Sequence, residues 1–142
     1  MLLGEHEHSL DDKNRLTLPA KLREQLGDRV VVTAGLDGCL DAYAFDEWES
    51  QVRRIRDLDT LSRESRMMHR FFFASAVTAD LDKQGRMVLP ASLLKTAGIE
   101  REVTVAGVYD HLEIWDRAKW REHRHELEGS AEHVAERIAN RN

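Results

Sequence analysis

The amino-acid sequence predicts a β-rich α+β fold in which two tandem copies of one unit form a single shared structure with flanking helices. Three observations support this: the chain has only 142 residues, one segment recurs in register, and each copy combines short strands with one short helix. A unit of four short strands and one small helix buries little apolar surface alone. We therefore expect both copies to form one intramolecular barrel about an approximate two-fold axis.

The repeat becomes visible when residues 10–22 are aligned with residues 81–93, an offset of 71. Leu, Asp, Arg, Leu, Pro, Ala and Leu then recur in register, and Gly27 matches Gly98. One inserted residue shifts the offset to 72, and the later matches are Val31 with Val103, Ala34 with Ala106, Gly35 with Gly107 and Leu40 with Leu112. We assign residues 5–58 to the first repeat with its following helix, 59–74 to a linker helix, 75–129 to the second repeat with its following helix, and 130–142 to a C-terminal helical tail.

Each repeat begins with a predicted β-hairpin. Its strands are predicted at Glu5–Leu10 and Arg15–Leu18 in the first repeat, and at Ser75–Leu81 and Arg86–Leu89 in the second. Asn14 and Gly85 occupy equivalent positions in the two turns, and both residue types tolerate positive φ. The sequence therefore predicts a left-handed backbone position in each turn.

A short helix, a Val-rich strand and a second hairpin complete each repeat. Pro19 and Pro90 suit the first turn of the two helices, and Gly27 and Gly98 stand where a C-terminal glycine belongs. The second hairpins are predicted to turn at residues 36–38 and 108–110.

Helices are predicted after and between the repeats. Asp46 is the predicted N-cap of the first of them, and the linker helix is predicted at Ser62–Phe72. A last helical segment starts near Asp116, with a predicted break at Gly129 and Ser130.

The composition predicts a globular chain without a membrane span or a signal peptide. Cys39 is the only cysteine, so an internal disulfide is impossible and a reducing cytoplasm is the expected compartment. The net charge of −5 is unusual for a DNA-binding protein. Between Lys13 and Arg29, however, five basic residues stand against two acidic ones, which predicts a basic face on an acidic body.

The motif Asp-x-x-x-Arg, followed by Leu-Pro and a short helix, occurs at Asp11 and Arg15 and again at Asp82 and Arg86. This duplicated pattern resembles the MraZ family, whose units are similar to the SpoVT/AbrB-type swapped-hairpin barrel. The resemblance implies two AbrB-like units that form one pseudo-two-fold swapped-hairpin barrel. It also implies a cytoplasmic, nucleoid-associated transcriptional regulator that assembles into a ring-like homo-oligomer. Such a regulator binds promoter repeats in double-stranded DNA and acts on its own operon and on the division and cell-wall gene cluster.

Arg15 and Arg86 are the predicted DNA-binding residues, because a guanidinium can clamp a phosphate or contact guanine bidentately. Asp11 and Asp82 are predicted to orient these arginines across the tight turns. Additional phosphate contacts are predicted for Lys13, Lys83, Lys21 and Arg23. Structural ion pairs that pin the hairpins are the alternative explanation of the Asp–Arg pairs, and the two interpretations are compatible.

Other classes of function find less support in the sequence. No Gly-rich phosphate loop and no Gly-x-Ser-x-Gly motif occurs, so no enzyme, catalytic residue or small-molecule substrate is predicted. No cofactor or metal is predicted: His6 and His8 share one strand face but lack a third ligand, and no histidine is expected beside Cys39. Two alternatives stay open, an AbrB-type antitoxin and an oligomeric protein-interaction scaffold.

Overall fold

The computed structural model describes residues 1–141 and shows a mixed α/β fold built on antiparallel strands. The first half contains β1 (Leu2–Ser9), β2 (Arg15–Thr17), α1 (Ala20–Leu26), β3 (Arg29–Ala34), β4 (Leu40–Ala44), α2 (Phe45–Arg56) and α3 (Arg63–His69). The second half contains β5 (Val77–Asp80), β6 (Arg86–Val88), α4 (Ala91–Thr96), β7 (Glu102–Tyr109), β8 (Leu112–Asp116) and α5 (Arg117–Asn140). The predicted order of strand, turn, strand, short helix, strand, turn and strand is confirmed in both repeats.

The strands of the two repeats are interleaved in one six-stranded sheet with the order β1-β7-β8-β4-β3-β5. The first strand of each repeat pairs with the other repeat: β1 lies against β7, and β5 lies against β3. Within residues 1–141 this sheet ends at β1 and β5, so the strands of the expected intramolecular barrel do not close into one sheet. β2 and β6 are not part of the large sheet and pair with each other in a separate two-stranded sheet.

We call the β2–β6 pair the hairpin ribbon. Leu16 lies opposite Met87 at its centre, and both side chains are fully buried. The Leu18 N–H donates to the Gly85 carbonyl at 3.0 Å, and the Leu89 N–H donates to the Asn14 carbonyl at 2.9 Å. Each strand of the ribbon thus ends against the turn of the other repeat, which locks the two hairpins together.

Both repeats contribute to one hydrophobic core, as the short units require. Equivalent leucines occupy equivalent buried sites, such as Leu18 with Leu89 and Leu22 with Leu93. The predicted Pro and Gly boundaries of the short helices agree with the structure, because Pro19 and Pro90 are N-caps and Gly27 follows α1 with φ +78°.

Two details of the predicted helices are wrong. Asp46 is not an N-cap: α2 follows β4 directly with Ala44 at that position, and Asp46 lies in the first turn, where its charge complements the helix dipole. The predicted break at Gly129 and Ser130 is also absent, because α5 continues to Asn140. An exposed glycine costs a helix only about 1 kcal/mol, which good helix formers on either side offset.

The linker helix is confirmed. Ser62 caps α3, with its side chain accepting a hydrogen bond from the Ser65 N–H at 3.4 Å. The helix then passes into a π-helical turn at Arg70–Ala74. Among residues 1–141, no helix is both long enough and apolar enough to cross a membrane.

Candidate nucleic-acid interface

The two Asp–Arg pairs have the same geometry. Asp11 Oδ1 accepts hydrogen bonds from the N–H groups of Lys13 and Arg15, each at 2.9 Å, and Oδ2 accepts one from Arg15 Nε at 2.6 Å. Asp82 repeats every contact: its Oδ1 accepts from the N–H groups of residues 84 and 86 at 2.9 Å, and its Oδ2 accepts from Arg86 Nε at 2.8 Å. One carboxylate therefore both closes the turn and orients the arginine that follows it.

These contacts lower the pKa of both carboxyl groups below the ordinary value of 3.8, so the carboxylates stay ionised to lower pH. The hydrogen bond from the Arg15 backbone N–H is the largest of the influences that lower the pKa of Asp11 to about 2. The Arg86 backbone N–H likewise lowers the pKa of Asp82. Each arginine thus faces a permanent negative charge through its Nε atom.

Arg15 and Arg86 lie on the same face of the hairpin ribbon. Side chains alternate between the two faces of a strand, and the residues next to the arginines, Leu16 and Met87, point into the core. The arginines therefore point away from the core. The antiparallel register sets Arg15 opposite Val88 and Arg86 opposite Thr17, so the two are related about the ribbon's centre.

Each guanidinium is fixed at one edge and free at the other. The Arg15 and Arg86 side chains keep 28% and 30% of their surface exposed. In residues 1–141, their Nε atoms bind Asp11 and Asp82, and no protein group hydrogen-bonds to their terminal amino groups. The result is a pair of oriented fork-shaped donors that face solvent.

The predicted lysines are exposed and lie close to the strands of the hairpin ribbon along the chain. Lys13 and Lys83 lie in the two turns, and Lys21 lies at the start of α1. Within the described part of the chain, none of the three forms an ion pair. Lys83 also lines a shallow groove of about 410 Å³ with Arg23, Glu24 and others, so acidic side chains border this part of the surface.

Arg23 has a role that the sequence did not reveal. It lies directly over Gly85, where an added Cβ would overlap its side chain, and its buried Nε has no hydrogen-bond partner among residues 1–141. At the offset of 71, Arg23 corresponds to Leu94 and Gly85 corresponds to Asn14. Both positions therefore differ between the repeats, and this paired difference was the signal in the sequence that Arg23 and Gly85 are coupled.

Both turn predictions are confirmed. Asn14 has φ +57° and Gly85 has φ +76°. Gly85 is required for two reasons, its backbone conformation and its contact with Arg23, whereas Asn14 adopts the left-handed region as this residue type often does.

The acidic and histidine residues of β1 serve a different surface. Glu7 pairs with Arg117 and Arg121, each at 3.1 Å, and Glu5 pairs with Arg124 at 3.1 Å, which ties β1 to α5. In the described chain, His6 and His8 belong to no group of potential metal ligands.

The fold and the site together define a class: a duplicated antiparallel α/β protein with interleaved strands and a matched Asp–Arg hairpin in each repeat. The family model described as "MraZ protein, putative antitoxin-like" matches residues 1–71 and again residues 72–142. The chain belongs to the MraZ family, and the resemblance drawn from the duplicated motif is confirmed.

Three relatives show how much of the chain is shared, and each is named "Transcriptional regulator MraZ". The protein from Syntrophomonas wolfei is 44% identical over 138 residues, which are 97% of this chain and 96% of the relative. The Clostridium botulinum (strain Eklund 17B) protein is 48% identical over 84% of each chain. The Pelotomaculum thermopropionicum protein is 42% identical over all of this chain and 98% of its own. These names describe regulators and not enzymes.

Proposed function

We propose that this protein is a sequence-specific DNA-binding transcriptional regulator that contacts DNA through the hairpin ribbon. The observation that carries the proposal is the position of Arg15 and Arg86, which lie on one outward face with their terminal amino groups free. The relatives' names support the regulatory role.

The geometry suits the major groove of B-DNA, which admits a two-stranded β-ribbon. An arginine held at Nε still offers its two terminal nitrogens, which can bind guanine O6 and N7 or two phosphate oxygens. Asp11 and Asp82 reduce the entropy lost on binding by holding each guanidinium in one orientation. Lys13, Lys83 and Lys21 supply phosphate contacts that carry affinity without sequence information.

An acidic chain with one small contact surface needs several such surfaces to bind DNA tightly. The net charge is −5, and a ring-like homo-oligomer that sets several ribbons against promoter repeats gains affinity through effective concentration. We extend the proposal to the finer expectations of the family: a pseudo-two-fold swapped-hairpin architecture, nucleoid association in the cytoplasm, and action on its own operon and the division and cell-wall genes. Light scattering tests the assembly, since a stable monomer at micromolar concentration contradicts the gain from multiple contacts.

A gel-shift titration with promoter DNA tests the contact residues. We expect Arg15→Ala with Arg86→Ala to weaken binding by a factor of roughly 30 or more, because each bidentate contact contributes about 1–3 kcal/mol. The control pair, Arg137→Ala with Arg141→Ala, removes the same charge at the end of α5 and should retain most of the affinity.

The outcomes separate three interpretations of the Asp–Arg pairs. Loss of DNA binding with an intact oligomer and an unchanged circular dichroism spectrum supports the proposal. Normal DNA binding by the double variant refutes it and favours the protein-interaction scaffold. Unfolding of the double variant indicates structural ion pairs, and Arg15→Lys with Arg86→Lys, which keeps the charge but loses the fork, then tests the contact by itself.

A further inference from the structure

One face of α5 packs against the sheet in the first half of the helix and is uncovered in the second half. Trp120 and His123 contact Trp115 of β8, with ring centroids 5.6 Å and 4.9 Å away. The same face then continues through residues spaced four, three and four apart, which a helix places on one side. These residues are Leu127, Ala131, Val134 and Ile138, and we call them the α5 stripe. All four are exposed within residues 1–141.

The α5 stripe lies almost entirely past the last link between this helix and the sheet. In the described chain, that link is the hydrogen bond from Arg124 to Glu5 at 3.1 Å. Residues 125–140 follow, a length of about 24 Å at 1.5 Å per residue. An apolar stripe that packs against nothing in its own chain indicates a contact with another molecule.

The charge around the stripe selects the kind of partner. In residues 126–140 four glutamates stand against one arginine: Glu126, Glu128, Glu132, Glu136 and Arg137. Glu128 pairs with Arg124 at 3.2 Å, and within residues 1–141 the other three glutamates form no ion pair. Two copies of this helix half would bring like charges together, which disfavours pairing of α5 with itself. The stripe therefore fits a surface that is apolar and basic.

Such a surface lies on α2. A groove of about 420 Å³ follows one side of this helix and is lined by Phe45, Trp48, Glu49, Val52, Arg53 and Arg56. Phe45 is 42% exposed, although it is a large apolar side chain. The last turn of α2 is basic, and in residues 1–141 its Arg53 and Arg54 form no ion pair. We call this surface the α2 groove.

A comparison of the two repeats shows why the α2 groove is open. At the offset of 72, the positions of Arg117, Arg121 and Arg124 in α5 correspond to Phe45, Glu49 and Val52 in α2. The three arginines tie α5 to two glutamates of the edge strand β1. The equivalent edge strand β5 has four residues where β1 has eight, and α2 forms no hydrogen bond or ion pair with it in the described chain. The first repeat thus exposes a surface that the second repeat covers by itself.

We propose that the C-terminal half of α5 from one copy of this chain docks in the α2 groove of a second copy. The α5 stripe packs against Phe45, Trp48 and Val52, and the glutamates beside it lie near Arg53 and Arg56. Stripe and groove are different surfaces of one chain, so the contact is heterologous and passes from copy to copy until a ring closes. This inference rests on the multi-subunit assembly in the proposed function and is independent of the DNA contact of Arg15 and Arg86.

Light scattering of stripe variants of the full-length chain tests the docking helix. We expect Val134→Glu with Ile138→Glu to lower the mass from that of a multimer toward the 16.4 kDa of one chain. Both side chains are exposed in the single chain, so the circular dichroism spectrum should stay unchanged. The matched control, His133→Glu with Ala139→Glu, adds the same charge on the other side of α5 and should retain the wild-type mass.

Charge reversal tests the partner surface. Arg53→Glu with Arg56→Glu should lower the mass, and so should Glu126→Arg with Glu132→Arg, because each pair sets like charges against each other. The chain that carries all four substitutions should regain the multimer, since the signs again match. Recovery in the combined variant identifies the two surfaces as partners.

Three results would overturn the proposal: equal masses for the stripe variant and its control, a wild-type mass for Arg53→Glu with Arg56→Glu, or no recovery in the combined variant. The second result would assign the stripe to another partner, such as a second α5. If the stripe variant loses helical signal, Val134→Ser with Ile138→Ser replaces it, and an unchanged mass refutes the interface.

Gel shifts on a single promoter repeat keep this test apart from the proposed DNA contact. The dissociated variants should still bind one repeat, because the hairpin ribbon is intact in each chain. Arg15→Ala with Arg86→Ala should lose that binding and keep the multimer mass. A wild-type chain that is monomeric yet binds the repeat would refute the interface and leave the DNA contact standing.

Discussion

At the scale of single residues, the two Asp–Arg turns combine a structural and a functional task. Asp11 closes its turn through two backbone N–H groups and holds Arg15 through a third contact, and Asp82 does the same for Arg86. The structural and DNA-contact interpretations therefore do not compete: the carboxylate uses one edge of the arginine and leaves the other edge for a ligand.

The pH dependence of Asp11 follows from its depressed pKa. Because the folded-state pKa is about 2, below the ordinary 3.8, ionised Asp11 contributes its full stabilisation above about pH 4. That contribution should be lost as pH falls through about 2. A carboxyl-carbon NMR titration checks this, with the Asp11→Asn variant used to assign the signal. A midpoint near 3.8 would contradict the observed hydrogen bonds.

A side chain at Gly85 should destabilise the fold. Gly85→Ala is expected to lower the free energy of unfolding by about 1–2 kcal/mol through its positive φ, with a further loss from overlap with Arg23. Urea unfolding measures the effect at fixed protein concentration. In an Arg23→Ala background only the first part should remain, and equal losses in both backgrounds would show that the two residues are not coupled.

At the scale of elements, α5 is a long helix whose glycine lies in its exposed interior. A Cβ added at Gly129 would contact no other atom, and helical residues flank this glycine on both sides. The C-terminal half of this helix lies outside the sheet's core, because Leu127, Val134 and Ile138 are all exposed.

Gly129→Ala should therefore raise the free energy of unfolding by about 1 kcal/mol and increase the helical circular dichroism signal. The same substitution at Gly98 should have the opposite sign, because Gly98 has φ +65° and an added Cβ would lie 2.8 Å from Lys119 Nζ. Thermal unfolding of the two variants compares them directly. A loss of stability in Gly129→Ala would show that the helix does break there or is covered by another chain.

At the scale of the whole molecule, the interleaved strands make the two repeats one folding unit. β1 completes its hydrogen bonds only against β7, and β5 completes its own only against β3. Without the other repeat, each would keep only its internal strand pair, β3–β4 or β7–β8, and its strand of the hairpin ribbon would have no partner.

We expect a single unfolding transition that both repeats share. Leu16→Ala and Met87→Ala, which empty equivalent buried positions, should each lower the free energy of unfolding by about 2–5 kcal/mol. Circular dichroism and tryptophan fluorescence should give coincident curves, since Trp48 lies in the first repeat and Trp115 and Trp120 lie in the second. Two separate transitions, or a loss confined to one repeat's probe, would contradict the shared core.

The sequence by itself determined the duplication, the order of elements in each repeat, the left-handed turn positions and the two Asp–Arg pairs. These features are local: residues four apart across a tight turn meet whatever the rest of the chain does, so Asp11 and Arg15 carry their geometry in their spacing. Pro19 and Gly27 likewise mark a helix through their own backbone preferences.

Only the tertiary structure decided which strands pair, that the sheet stays open, and which distant side chains meet. The contact of Arg23 with Gly85 and the ion pair of His111 with Asp41 join residues far apart in the chain. Such contacts depend on strand register, and a shift of one residue would turn each side chain to the other face. Their partners are therefore selected by the packing of the whole core, which no local pattern in the sequence specifies.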